Sequence, residues 1–386
     1  MIYLDNAATT QVVPEVLKEM MPYLTTEFGN AGSLHSLGRK SVRAIEKARK
    51  QVADCIGAQP NQIIFTSGGT EANNLVLQGL IPYLKEKGKT HIITTKIEHD
   101  SIIKTVEEMC IKHGFDISYL EVNQNGKVDM ETLSNAITER TGLISMMYIN
   151  NEIGSVNNIL TASTIAHNHG ILFHSDCVQA LGSVKIDVKA LSCDFVSISS
   201  HKIYGAKGIG ALYAKCPSLI NPLIIGGDEQ EFGLRGGTEN VPAIVGFGKA
   251  CEVLKKNHIA NSNCIEALKN IFYSTLISRL KEYGLEDHVS FNGASPYDCG
   301  KILNLRFDGV DAQTLVLYLS NKDVYVSSGS ACRNHSSKPS SVLLAIGLSP
   351  EQARSSVRFS FSHLLTMQQS IEAAQITADA IKLLLN

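Results

Sequence analysis

The chain has 386 residues, too many for one compact core and enough for a large domain with a smaller one. Hydrophobic residues make up 44% and charged residues 19%, as in ordinary globular proteins, and a net charge of −2 gives no electrostatic reason to expect direct binding of nucleic acid. No apolar run approaches the roughly 20 residues that span a bilayer, so no membrane segment is predicted. The first ten residues, MIYLDNAATT, lack the basic start and apolar core of a signal peptide.

The nine cysteines are scattered singly, at positions 55, 110, 177, 193, 216, 251, 264, 299 and 332. No C-x-x-C pair occurs, so the sequence indicates neither a zinc knuckle nor a redox dithiol. An odd number of cysteines without a framework is typical of a reducing compartment, and we expect a cytoplasmic protein. His167 and His169 resemble a metal motif, but they end a predicted helix, where histidine is favoured anyway. No metal site is predicted.

Short apolar runs alternate with amphipathic stretches from about residue 45 to 215. The segment NQIIFTSGGTEANNLVLQGL predicts a strand, a glycine-rich turn and a helix. THIITTKIEHDSIIKTVEEMC repeats this plan, with the strand ending near Lys96 and the helix beginning near Asp100. GLISMMYINNEIG, GILFHSDCVQA and CDFVSISSHKIYGAKGIGALYAK predict further strands. Such alternation is typical of βαβ units and of a mostly parallel sheet covered on both faces.

A long helical stretch follows from about Val241 to Tyr283, and NHIANSN within it predicts a kink or a loop. KILNLRFDGVDAQTLVLYLSNKDVYVSSGS, SVRFSFS and a closing helix indicate a smaller α+β domain. We predict an N-terminal segment, residues 1–15, that packs with the small domain. The large domain then covers 16–260 and the small domain 261–386, with a loop at about 325–340.

Polar residues follow the predicted strands, at the edge where open α/β sheets bind their ligands. They are, in chain order, Gly68, Gly69, Thr70, His99, Asn150, Asn151, Asp176, Gln179, Ser199, Ser200, His201 and Lys202. Taken singly, most have a simpler explanation as helix caps, turn residues or a solvated lysine. Asp176 is harder to explain in that way, because carboxylates are rarely buried without a partner.

Together these groups match the needs of pyridoxal 5′-phosphate. That cofactor requires a phosphate-binding turn, a lysine to hold its aldehyde as a Schiff base and an acid to keep its ring nitrogen protonated. A nicotinamide site would need G-x-G-x-x-G after the first strand, which is absent, and GAKGIG does not match a P-loop.

The segment VSSGSACRNHSSKP, residues 326–339, surrounds Cys332 with small and polar residues. Cysteine is usually buried, so this setting is unusual. An inert exposed thiol is the default interpretation for a lone cysteine.

Seven segments carry a family resemblance over nearly the whole chain. YLDNAATT, FTSGGTEANN, NNEIG, SDCVQ, SSHKIYGAKGIGALY, RGGTEN and SSGSAC resemble, in order, the cysteine desulfurases of the NifS/IscS type. These are fold-type I pyridoxal-phosphate enzymes of the class V aminotransferase group. The resemblance implies a large domain with a mostly parallel, seven-stranded sheet covered by helices, and a smaller α+β C-terminal domain.

The resemblance also implies residue roles. Lys202 would form the Schiff base, Asp176 would pair with the pyridinium nitrogen, and His99 would stack over the ring and act in proton transfer. Gln179 would hydrogen-bond the phenolic oxygen. The phosphate would be held by Gly69, Thr70, Ser199 and His201, and Asn151 would be a further cofactor-binding residue.

Substrate binding and dimerisation follow from the same resemblance. Arg358 would bind the carboxylate of L-cysteine, helped by Asn151, because a guanidinium forms a bidentate fork with a carboxylate. Thr238 would reach the phosphate of the other subunit, which implies a homodimer with shared active sites.

The implied activity is a cysteine desulfurase. Lys202 would remove the Cα proton, and the thiolate of Cys332 would attack the substrate sulfur, giving L-alanine and a persulfide for an acceptor protein. Arg333 and His335 would lower the pKa of that thiol. Selenocysteine lyase, a simple aminotransferase and a sulfur-transfer scaffold without catalysis are the alternatives.

The acceptor stays open among iron–sulfur, tRNA, thiamine, molybdopterin and DNA phosphorothioation pathways. Three departures from the family pattern bear on it: FGNAGS near the N-terminus, Asp-Ser after His99, and the basic segment RNHSSKPS after Cys332.

Overall fold

The computed structural model of the protein describes residues 1–227, 229–293, 300–328 and 339–385. The elements up to residue 214 are β1 (Ile2–Tyr3), α1 (Pro14–Thr25), α2 (Ser36–Ile56), β2 (Ile63–Thr66), α3 (Gly69–Gly79), α4 (Ile81–Glu86), β3 (His91–Thr95), α5 (Asp100–His113), β4 (Asp116–Leu120), α6 (Met130–Asn135), β5 (Thr141–Ser145), α7 (Ile159–Asn168), β6 (Leu172–Asp176), β7 (Phe195–Ser199) and β8 (Gly210–Ala214). The later elements are α8 (Val241–Glu282), β9 (Val289–Phe291), β10 (Ile302–Phe307), α9 (Ala312–Asn321), β11 (Val324–Tyr325), α10 (Ser341–Ala345), α11 (Pro350–Arg354), β12 (Ser356–Ser360) and α12 (Met367–Leu385).

A seven-stranded sheet in the order β2-β8-β7-β6-β5-β3-β4 forms the centre of the fold. Only β8 runs antiparallel to its neighbours in this sheet. Successive side chains of β3 belong to different hydrophobic clusters, since Ile92 lies on one face of the sheet and Ile93 on the other. Both faces are therefore covered, and the predicted mostly parallel α/β sheet is confirmed.

The structure also confirms the predicted turn between β3 and α5. β3 ends at Thr95 and α5 begins at Asp100. His99 is the N-cap of α5, because its side chain accepts a hydrogen bond from the backbone of Ser101. The strand end thus fixes where this imidazole lies.

A separate hydrophobic cluster, away from the two faces of the large sheet, contains the remaining strands. β12, β10 and β9 form an antiparallel sheet, and β1 pairs with β11 in parallel. Phe272 of α8 packs against Phe359 of β12, with ring centroids 4.8 Å apart. Ile2 and Leu4 belong to this cluster, so the N-terminal strand packs with the C-terminal elements.

The break predicted within the long helix is wrong. α8 runs without interruption from Val241 to Glu282. NHIANSN contains neither proline nor glycine, and its weak helix formers cost less than about 0.7 kcal/mol each. Phe247 anchors one end of the helix in the cluster that contains Ile93, and Phe272 anchors the other end in the cluster that contains Leu4. Because α8 belongs to both clusters, the boundary between 260 and 261 stays a prediction.

Within the described residues, no helix is long and apolar enough to cross a membrane.

Candidate active site

A cavity of about 300 Å³ lies at the carboxyl ends of β3, β5, β6 and β7. It is lined by ten of the predicted residues: Gly69, Thr70, His99, Asn151, Asp176, Gln179, Ser199, His201, Lys202 and Arg358. Thr238 is exposed and does not line the cavity of this single chain. Cys332, with Arg333 and His335, lies outside the described residues.

Lys202 follows β7 in a short turn and is held by the N-terminal segment. Its ammonium donates hydrogen bonds to the carbonyl oxygens of Ala7, at 2.5 Å, and Ala8, at 2.7 Å. The amide of Gln179 donates to the same carbonyl of Ala7, at 2.7 Å. Residues of YLDNAATT thus form one wall of the cavity.

Asp176 ends β6 and is 6% exposed. One carboxylate oxygen accepts from the side-chain amide of Asn73 and the other from the backbone N–H of Val178, at 2.8 and 2.9 Å. Among the described residues, no lysine or arginine forms an ion pair with it. Its negative charge therefore remains available to a cationic group of a ligand.

A chain of hydrogen bonds joins Asp176 to His99. The amide of Asn73 donates to Asp176 and also to the hydroxyl of Ser101, at 2.8 Å each. Nδ1 of His99 lies 2.8 Å from that hydroxyl and accepts from the backbone N–H of Ser101, at 3.1 Å. Accepting at Nδ1 leaves the ring proton of a neutral imidazole on Nε2. The sequence analysis gave no role to Asn73, which lies in FTSGGTEANN, or to Ser101, which belongs to the Asp-Ser departure after His99.

One end of the cavity suits a phosphate. α3 begins at Gly69, and a Cβ built there would meet Cγ2 of Val178 at 2.5 Å, so only glycine fits. An adjoining recess of about 340 Å³ shares Thr70, Ser199 and His201 with the cavity. Burial, followed by the charge of neighbouring lysines, lowers the pKa of His201 to about 3, so its imidazole is neutral near pH 7. Backbone donors at a helix N-terminus beside lysines favour an anion.

Arg358 of β12 also lines the cavity. Its Nη1 donates to the carbonyl of Asn151 and its Nη2 to the carboxylate of Asp5, at 2.8 Å each. Nε is buried and has no hydrogen-bond partner among the described residues. The guanidinium is thus fixed by two different parts of the chain.

Glu98 is a cavity residue that the sequence analysis missed. Its Oε1 accepts from the hydroxyl of Thr95 and the backbone N–H of Met147, at 2.8 Å each, while its buried Oε2 has no partner in the described chain. Burial raises the pKa of this carboxyl to about 8. Glu98 is therefore mostly protonated at neutral pH. The available signal was an acid directly before His99, between Ile97 and the predicted N-terminus of a helix.

His167 makes a structural contact. Its Nε2 lies 2.8 Å from the carboxylate of Asp194. In the part of the chain that the structure describes, no group of three or more His, Cys, Asp or Glu side chains could hold a metal ion.

The family model described as Aminotransferase class-V matches residues 2–373. The chain belongs to this family. The cysteine desulfurase IscS of Clostridium botulinum is 43% identical over 363 residues, 93% of this chain and 89% of the relative. A solved NifS-like protein superposes with a TM-score of 0.88 at 32% identity, with 98% of each chain covered. A structure described as SspA in complex with cysteine is 34% identical, with a TM-score of 0.78 over 94% of this chain and 99% of the other.

Within the class-V family the chain is therefore an enzyme of the NifS/IscS-type cysteine desulfurases, with the fold-type I architecture, and this membership implies dependence on pyridoxal phosphate.

The residues present fit that cofactor. The cavity has a glycine cradle at Gly69, an unneutralised carboxylate at Asp176 and a lysine from the turn after β7. Oε1 of Gln179 and Oγ of Ser199 are buried without a partner among the described residues, as expected of groups that await a polar ligand.

Proposed function

We propose that this enzyme removes the sulfur of L-cysteine, with Lys202, His99 and Cys332 as its catalytic residues. The products are L-alanine and a persulfide on Cys332. The observation that supports this most directly is the meeting of Lys202, Asp176 and Arg358 at one cavity, from three distant parts of the sequence. The similarity to cysteine desulfurases supports L-cysteine as the substrate.

The cofactor-binding residues divide by the part of the cofactor that they would hold. When bound as a Schiff base on Lys202, pyridoxal phosphate supplies an electron sink for bond breaking at Cα. Asp176 would hold the ring nitrogen, Gln179 the phenolic oxygen and His99 one face of the ring. Gly69, Thr70, Ser199 and His201 would hold the phosphate.

Arg358 and Asn151 would hold the substrate carboxylate. Two of the guanidinium nitrogens are occupied by Asp5 and by the carbonyl of Asn151, at 2.8 Å each. These contacts fix the plane of the guanidinium, so little rotamer entropy is lost when a carboxylate binds.

Lys202 would take the Cα proton as a free amine, and two other groups can handle protons. A neutral His99 has its ring proton on Nε2, and Glu98 is mostly protonated at neutral pH. A neutral imidazole suits a general acid or base, because its ordinary pKa lies near physiological pH.

Cys332 would act as a thiolate, with Arg333 and His335 lowering its pKa. The proposal for these three residues rests on the sequence, where SSGSAC resembles the family motif. The persulfide would pass to an acceptor protein for iron–sulfur cluster assembly or another thiolation pathway. Selenocysteine lyase activity is the alternative within the same site.

We also propose a homodimer with shared active sites, in the cytoplasm. Thr238 is exposed in the single chain and free to serve the site of a second subunit. The preceding loop exposes apolar side chains, among them Ile225, at 87% exposure, and Ile224, at 42%. A buried, bidentate ion pair between Arg49 and Glu231 fixes the end of that loop, at 2.8 Å.

The test separates cofactor binding from sulfur transfer. Cys332→Ser should keep the visible absorbance of bound pyridoxal phosphate and lose alanine and sulfide production from L-cysteine. Lys202→Ala should lose the Schiff-base absorbance as well. Cys216→Ser is the matched control and should retain activity, because Cys216 is exposed and far from Cys332 in the sequence. Full activity of Cys332→Ser on L-cysteine would refute the proposed nucleophile. If Cys332→Ser and the wild type turned over selenocysteine at equal rates, but not L-cysteine, the lyase would be favoured.

A further inference from the structure

Helices α2 and α8 run side by side and in the same direction, with close contact between their backbones. A Cβ built on Gly248 would meet the Cα of Ala48 at 2.7 Å, so the helices approach closely at that point. One turn further on, the amide of Gln51 donates to the carboxylate of Glu252, at 2.5 Å. After a further turn Lys255 donates to the carbonyl of Asp54, at 3.0 Å.

Two cysteines occupy the contact between these helices. Cys55 lies near the end of α2, two turns beyond Ala48, and Cys251 lies one turn beyond Gly248. Both cysteines therefore lie where α2 faces α8, Cys251 inside the hydrophobic cluster that contains Ala48 and Cys55 packed against that cluster. Both thiols are free in the structure.

The two thiols differ in access and in charge. Cys251 is fully buried, whereas Cys55 is partly exposed. The neighbouring thiol of Cys251, with the charge of Lys255, holds the pKa of Cys55 below its usual value. Burial raises the pKa of Cys251 well above its usual value. An accessible thiol with thiolate character beside a buried second thiol is the arrangement of redox-active cysteine pairs.

We propose that Cys55 and Cys251 form a site of oxidative modification, with Cys55 as the thiol attacked by a peroxide and Cys251 as the resolving thiol. This site is separate from the proposed desulfurase chemistry and uses neither Cys332 nor the cofactor.

The modification has two steps, with hydrogen peroxide as the oxidant. The sulfur of Cys55 attacks one peroxide oxygen, the O–O bond breaks, and Cys55 becomes a sulfenic acid with release of one water. The sulfur of Cys251 then attacks the sulfur of Cys55, a disulfide forms, and the hydroxyl leaves as a second water with the proton of Cys251. The two thiols lose two electrons and the peroxide gains them. The disulfide links α2 to α8, the helix that enters both hydrophobic clusters.

The test is peptide mapping of the reduced, full-length protein after treatment with hydrogen peroxide and alkylation of the remaining thiols. We expect a disulfide-linked peptide pair that contains Cys55 and Cys251. We also expect Cys55 to react at least about tenfold faster than the exposed Cys110 and Cys216, because thiolate character sets the rate. Cys177 and Cys193, both buried, serve as internal controls that stay reduced.

Two variants separate the steps without relying on the disulfide. In Cys251→Ser, the sulfenic acid on Cys55 has no resolving thiol and should be trapped by dimedone. In Cys55→Ser, neither the linked peptide nor a dimedone adduct at Cys251 should appear. Cys55 and Cys251 recovered as separate alkylated peptides, while Cys110 and Cys216 are oxidised, would overturn the proposal. Absence of a dimedone adduct on Cys55 in folded Cys251→Ser would overturn the first step.

Discussion

Arg358 of β12 and Asp5 of the N-terminal segment form an ion pair at the wall of the cavity, with Nη2 and Oδ1 2.8 Å apart. The arginine side chain is 2% exposed and the aspartate 18%, so the pair is largely shielded from water. The backbone adds a bridge between Asp5 and Ser360, next to this pair. The first residues of the chain are thereby bound to a strand near its end, and together they hold the guanidinium in place.

Replacement of the Asp5 carboxylate by an amide should therefore destabilise the protein. We expect Asp5→Asn to lower the free energy of unfolding by about 1–3 kcal/mol, because the buried guanidinium of Arg358 loses the opposite charge of its partner. Urea unfolding checks this. Asp308→Asn is the matched control, since Asp308 pairs with Arg306 but is 44% exposed, and its loss should cost at most about 1 kcal/mol. Equal effects of the two variants would contradict the argument.

The geometry of the Arg358 guanidinium should affect substrate binding more than cofactor binding. We expect Arg358→Lys to raise the KM for L-cysteine by about 10- to 100-fold, because an ammonium lacks the planar fork that matches a carboxylate. The absorbance of bound pyridoxal phosphate should not change. Steady-state kinetics and a visible spectrum measure both. A loss of the cofactor spectrum with an unchanged KM would place Arg358 in cofactor binding instead.

The amide of Asn73 should support the charge of Asp176. Asn73→Ala removes the donors to Asp176 and to Ser101, and we expect the Kd for pyridoxal phosphate to rise by about tenfold, the equivalent of about 1.4 kcal/mol. Titration of the apoenzyme followed by absorbance gives this Kd. Gln78→Ala, at the far end of α3, is the control and should leave it unchanged. Equal Kd values for the wild type and Asn73→Ala would show that this contact is dispensable.

Glu98 should make stability depend on pH in a defined window. Its pKa is about 8 in the folded protein against an ordinary 4.5, so the folded state binds its proton more tightly than the unfolded state. The resulting stabilisation is complete below about pH 4.5 and is lost as pH rises to about 8, by at most about 1.4 kcal/mol per pH unit. Glu98→Gln cannot ionise and should escape this loss.

The measurement is the difference in Tm between Glu98→Gln and the wild type across that range. We expect the difference to move in favour of the variant as pH rises from about 5 to about 8, and to level off above. Other ionisable groups are common to both proteins and cancel. A difference independent of pH would show that Glu98 is ionised throughout.

Local sequence predicted the features that depend on neighbouring residues. The alternation of apolar and amphipathic stretches predicted the parallel sheet, and the polar group after each strand predicted the cavity wall. His99 and Asp176 could be placed because a strand end fixes both. The kink at NHIANSN was wrongly predicted, because weak local propensity was outweighed by the packing of both ends of α8.

The sequence by itself determined the sheet, the family and ten of the residues that line the cavity, since each follows from short segments read in order. Only the tertiary structure decided which distant groups meet. Asp5 pairs with Arg358, and Cys55 lies next to Cys251, although the members of each pair are far apart in sequence. The protonation of Glu98 depends on the residues that bury it. Sequence spacing indicated no dithiol, because these two cysteines become neighbours only when α2 packs on α8. Such contacts are set by packing between elements, which no local pattern records.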